Sequence, residues 1–180
     1  MKSNFLFLEA EYPILYNIGQ AAEMHVAQDP VTCLFKLRQF GEKLTEYLFE
    51  EHYLDFPKEN TFHNCLKTLE YEQVLPERVK DLLFTMKNKG NTAVHQNVGS
   101  EDDAKTVLFA AFKVGKWFYE TYSRDREDIS ALKFSVPEKR DTVSELRTLE
   151  EEYKQLEARF ETLLAEREVK VLPQEEKQAI

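Results

Sequence analysis

DPVTCLFKLRQFGEKLTEYLFE, residues 29–50, is the stretch whose reading decides the fold. Leu34, Leu37, Gly41, Leu44 and Leu48 recur at spacings of 3, 4, 3 and 4, which draws one continuous stripe along a helix. Asp29 stands where an N-cap belongs, and Pro30 follows at the first helical position, where its missing N–H would have been unpaired anyway. A glycine inside a helix costs about 1 kcal/mol relative to alanine. Gly41 within the stripe therefore predicts a close crossing by a second helix.

The same period extends in both directions. A first helix is expected from near Pro13, with Ile14, Leu15, Ile18, Ala21 and Ala22 inward and His25 at the margin. After Pro57, Phe62, Cys65, Leu66 and Leu69 mark a shorter helix over about 61–72. Pro76 opens a fourth, with Val79, Leu82, Leu83 and Met86 inward, and it runs into Lys87-Asn88-Lys89-Gly90-Asn91. Ser100, with Asp103 in capping-box position, opens a fifth whose face carries Val107, Leu108, Ala111, Phe112, Gly115, Phe118, Tyr119 and Tyr122.

Short loops and almost no strand-like alternation predict an all-α fold. It is a compact helical bundle of about five helices over 1–122, followed by a long C-terminal amphipathic helix or short coiled coil. Residues 123–140 read as a charged linker, with an apolar cluster from Ile129 to Val136 that can fold back onto the bundle. Over 141–168 the pattern changes. Leu146, Leu149, Tyr153, Leu156, Phe160 and Leu163 form a heptad seam, with leucine at each d position. Such a seam either pairs with another helix or docks on the bundle. Residues 169–180 read as a frayed tail.

Composition excludes several functions. The 180 residues carry a formal net charge of −9, with 42% hydrophobic and 32% charged residues. A chain this long can bury a core, but this balance argues against the whole surface coating nucleic acid or an anionic membrane. A local patch of Lys and Arg remains open. Cys33 and Cys65 form no CxxC and read as buried free thiols. The opening MKSNFLFLEAEYP is too short and too acidic for a signal peptide, and no run reaches the roughly 20 apolar residues of a membrane span. The cytoplasm is the expected compartment.

No Walker loop, GxGxxG, HExxH or GxSxG is present, and His25, His52, His63 and His95 fall in separate predicted elements, so no metal site is expected. One cluster stands out, KNKGNTAVH at 87–95. On a continuing helical turn Asn91 and His95 share one side. In a chemical reading His95 is a general acid or base, with a cation from Lys87 or Lys89 steadying phosphate. In a structural reading Gly90 marks a helix break or a close approach. Asn91 and His95 then make buried hydrogen bonds fastening the turn to Arg38 or Glu42. Arg38 and Glu42, spaced i, i+4, form either a surface ion pair or a buried polar lock.

Four separated motifs carry a resemblance. SNFLFL at the opening, DPVTCLFKLRQFGE at 29–42, LLFTMKNKGNTAVH at 82–95 and AAFKVGKWFYETY at 110–122 resemble, in this order, the N-terminus of the R (HsdR) subunits of type I restriction–modification enzymes. The likeness covers roughly residues 1–135, and the segment 139–168 resembles the coiled region that follows there. It implies an N-terminal fragment of a motor and nuclease subunit. The nuclease and ATPase domains, with their ATP and magnesium, would lie elsewhere in the parent protein, so no cofactor is expected in this stretch. The implied partners are the methyltransferase and specificity subunits and, through the complex, DNA. Self-association through 146–163 is the other expected contact. The domain is also similar to the HEPN helical superfamily, some members of which are ribonucleases. That likeness makes Lys87, Asn91 and His95 the candidate catalytic residues. Lys87 stands where related domains carry arginine, and a lysine lacks the bidentate fork. Non-catalytic interaction module and RNA-directed HEPN-like domain are thus the two readings to separate.

Overall fold

The computed structural model describes residues 3–124, 127–137 and 142–171, and side chains of the last span over 146–164. Among the described residues there are six α-helices and no strand. They are α1 (Pro13–His25), α2 (Pro30–Glu51), α3 (Phe62–Tyr71), α4 (Glu77–Gln96), α5 (Glu101–Tyr122) and α6 (Thr142–Val171). A single 3-10 turn, Leu6–Leu8, precedes them. The chain divides into two units, Met1–Pro137 and Glu138–Ile180.

α2 is the axis of the first unit. It packs against α1, α3, α4 and α5. Its stripe is buried at every position: Leu34, Leu37, Gly41, Leu44 and Leu48, joined by Cys33, Phe40 and Phe49. The close crossing at Gly41 is present, because a Cβ there would lie 2.8 Å from Cζ of Phe62 on α3. The helix ends obey local chemistry. The carboxylate of Asp29 accepts from the Thr32 N–H at 3.0 Å, and the hydroxyls of Thr61 and Ser100 accept in the same way at the starts of α3 and α5. Each cap supplies a partner for a helix-terminal N–H that has none within its helix.

Two features differ from the expected pattern, and in a third the apolar cluster after Tyr122 folds back onto the bundle as the sequence allowed. On α1 the buried face is Leu15, Gly19, Ala22 and Val26, while Ile14 is exposed. The reason lies upstream, where the opening turn inserts a fully buried Phe5 beside Gly19 and against Phe40, with ring centroids 5.2 Å apart. This rotates the inward side of α1. α4 does not stop at Gly90 but continues to Gln96, and Asn97 ends it in the left-handed region at φ 53°. The first unit also reaches beyond Tyr122. Ile129 is buried, and Phe134 packs its ring edge-on against Phe109 at 5.2 Å and tilted against Phe112 at 5.6 Å. Asn4, itself buried, donates to the Ser135 carbonyl and accepts from the Ser135 N–H, both at 2.8 Å. Polar pairing of this kind keeps a buried amide from costing the roughly 1–3 kcal/mol of an unsatisfied group.

α6 belongs to the second unit. All six seam residues are exposed, from 56% at Leu146 to 65% at Leu156. Of the tail expected over 169–180, residues 169–171 belong to α6, and 172–180 lie outside the described residues. No helix among them is long and apolar enough to cross a membrane.

Candidate functional site

α4 carries the candidate residues, and its continuity arranges them. With no break at Gly90, Lys87, Asn91 and His95 fall at i, i+4 and i+8 along one side of a single helix. Lys87 and Asn91 are half-buried, and His95 is exposed. The expected fastening of Asn91 and His95 to α2 is absent from the described hydrogen bonds. An exposed His95 keeps its ring nitrogens in water and has no need of a buried partner.

The junction with α2 is made by Gly90 instead. A Cβ at Gly90 would overlap Cβ of Arg38 and come within 3.0 Å of its Cδ. The glycine is therefore a seat for the arginine stem, which lies across α4 with its aliphatic part buried. The Arg38 guanidinium pairs with Glu42 at 2.8 Å, and the two side chains are 25% and 34% exposed. This is neither a free surface pair nor a closed lock. Burial pushes the Glu42 carboxyl above its ordinary range, and the adjacent guanidinium pulls the other way. Nε of Arg38 is buried without a hydrogen-bond partner. An exposed Lys89 reaches the other neighbour, since its ammonium donates to Asp103 at the start of α5 at 2.6 Å. Lys89 and the Ser100 hydroxyl together hold Asp103 below the usual carboxylate range.

Lys87 points to a residue that the sequence pattern did not single out. Its ammonium lies 3.3 Å from Nδ1 of His63 on α3. An ammonium can only donate, so Nδ1 accepts and the imidazole carries its proton on Nε2. His63 and Lys87 stand twenty-four positions apart, so no local spacing could announce the contact. The other histidines are dispersed: His52 bonds the Tyr122 hydroxyl at 2.8 Å, and His25 ends α1. Cys33 and Cys65 are free and buried. Burial pushes the Cys33 thiol up to about 12, with Asp29 and Glu23 adding to it, so it is held in its unreactive protonated form. No group of three or more potential metal-ligating side chains occurs among the described residues.

The chain belongs to the family described as "Domain of unknown function (DUF4145)", whose match over residues 20–159 takes in most of the bundle and the greater part of the heptad seam. Among curated proteins, the chain is similar to the "Type I restriction enzyme EcoKI endonuclease subunit" of Escherichia coli (strain K12). The two are 29% identical over 153 residues, which is 84% of this chain and 13% of that subunit. The chain thus spans about an eighth of the length of the curated relative it matches. No solved structure matches.

Proposed function

We propose that the chain is a helical interaction module of a restriction-type assembly, tethering a DNA motor and nuclease to its methyltransferase core or to DNA. The observation that carries this reading is the alignment. Most of this chain corresponds to a small part of a restriction endonuclease subunit. A slice that small is the size of one domain, and a bundle with an added helix suits docking. The exposed seam of α6 supports the same reading. Six large apolar side chains at a/d spacing present a surface that a partner helix would cover by knobs-into-holes packing. In this reading methyltransferase and specificity subunits are the partners, and ATP and magnesium serve the larger motor. Co-purification with those subunits tests it, with the Leu149→Asp/Leu156→Asp double variant as the control expected to lose the complex. Capture unaffected by the double variant would remove the seam from the account.

A second reading is favoured by α4 itself. Lys87, Asn91 and His95 lie in line on an accessible face, the arrangement a HEPN-like ribonuclease would need. His95 would shuttle the proton and Lys87 would steady the phosphate. This reading requires metal-independent RNA cleavage that disappears in His95→Ala while the helical circular dichroism stays intact. Cleavage that persists in that variant, or is absent from the parent chain, removes it.

A further inference from the structure

Three groups from two helices converge on the ring of Phe84. The ammonium of Lys67 on α3 lies over the ring at 5.4 Å from its centroid, and that of Lys87 on α4 at 5.5 Å. His63 meets the same ring edge-on at 6.1 Å and 71°. Phe84 is half-buried, and His63 and Lys67 are exposed.

The surroundings set this cluster apart. Elsewhere among the described residues Lys43 pairs with Glu46, Lys89 with Asp103, Lys105 with Glu101 and Lys116 with Glu120. Lys36, Lys58, Lys113, Lys133 and Lys154 have no described carboxylate in ion-pair range, so it is the shared ring and not the missing carboxylate that distinguishes this cluster. Among the described residues Lys87 has no carboxylate in ion-pair range; it has His63 and the π face. Lys67 has one, Glu70 at 2.9 Å, which also serves Lys80 at 3.1 Å. Within ion-pair range the ammoniums of Lys67, Lys80 and Lys87 thus have one carboxylate between them, with Glu77 and Asp81 adding weaker negative charge near Lys80. The lone lysines over Phe35 and Phe109, by contrast, each meet a ring on their own helix with no second cation over it.

An aromatic ring within about 6 Å of two ammoniums attracts both and helps to order their long side chains. Lys87 has no anionic partner among the described residues and Glu70 is divided between Lys67 and Lys80, so an anion with several acceptor oxygens would find donors here. Nε2–H of His63 offers a further donor. The line continues along α4: Lys80, Phe84, Lys87, Asn91 and His95 share a side, over about 22 Å at 1.5 Å rise per residue. That is longer than one phosphate and comparable to several successive phosphates of a nucleic-acid strand.

We propose that His63, Lys67 and Lys87, gathered on Phe84, form a phosphate-binding patch that contacts the backbone of a nucleic acid laid along α4. The contact is to phosphate and carries no base sequence. It does not depend on the chain joining a restriction complex, because it rests on the α3–α4 geometry alone.

The test is fluorescence anisotropy of the 180-residue chain with labelled single-stranded DNA, single-stranded RNA and duplex DNA across a salt series, with inorganic phosphate as a competitor. At low salt, at least one nucleic acid binds, and affinity falls steeply as salt rises. Lys67→Gln/Lys87→Gln weakens binding and lowers the salt slope by about two, one for each lost phosphate contact. Lys67→Arg/Lys87→Arg retains binding, which a purely structural role for the lysines would not require. Lys105→Gln, on α5, changes nothing. Circular dichroism of each variant separates lost binding from lost fold. Absence of binding to all three nucleic acids at low salt overturns the proposal. So does an unchanged slope in a folded Lys67→Gln/Lys87→Gln variant, or binding of inorganic phosphate alone.

Discussion

Gly90 shows how one residue can be read two ways. In a sequence, Gly-Asn after a run of apolar positions looks like a helix stop. In the structure it is the place where the stem of Arg38 lies against α4, and the helix continues. Both meanings of glycine are steric, and only the second neighbour decides between them. Gly90→Ala gains up to about 1 kcal/mol of helix propensity. It also forces a methyl into Arg38 Cβ, an atom next to the backbone that cannot swing aside, and overpacking costs roughly 1–3 kcal/mol. We expect a net loss on the order of 1 kcal/mol in urea unfolding, with an unchanged m-value. A variant more stable than the parent chain would show that α2 and α4 have room at this crossing. His63 teaches the complementary lesson: its partner Lys87 lies on another helix, so only the folded chain brings the pair together.

At the scale of elements, periodicity was informative wherever an element was long and one-sided. α2 and α5 could be read almost residue by residue, since the 3-4 spacing, the N-caps and the prolines all agree. The opening turn Leu6–Leu8 is too short to show a period, yet Phe5 and Leu8 are fully buried and set which face of α1 turns inward. The joint between α4 and α5 is polar. Lys89 bonds Asp103, and the Ser100 hydroxyl accepts from the Asp103 N–H. The carboxyl of Asp103 is held below its ordinary value of 3.8, first by Lys89 and then by Ser100. A depressed folded-state value gives stability that is present above 3.8 and lost as pH falls through the folded value. Asp103→Asn should therefore melt lower than the parent chain at neutral pH. The deficit should be modest, about 0.5–1 kcal/mol for a solvent-screened pair. The two melting curves should converge as the solution is acidified through this range. A deficit that stays constant with pH would assign the loss to the cap geometry rather than to the charge.

For the molecule as a whole, chain and family agree on one point: the seam of α6 is part of the pattern, because the family match runs from residue 20 to 159 across both units. The all-α class was legible because helices of this kind advertise their buried faces. The role of the candidate site was not, because Lys87, Asn91 and His95 serve equally well on a docking face and on a phosphate-handling one. Charge on the seam's flanks narrows the choice of partner. In a parallel pair of identical copies, Glu152 would face Glu157 of the second copy, a like-charge contact. A different helix with basic flanks answers these glutamates better.

The most direct measurement is the mass, by sedimentation velocity, of the purified chain mixed with the methyltransferase–specificity complex from the same source, with and without cognate DNA. The account predicts a new species that adds whole copies of the 21.2 kDa chain to the complex. Two separate boundaries at every ratio, with DNA present or absent, would contradict it.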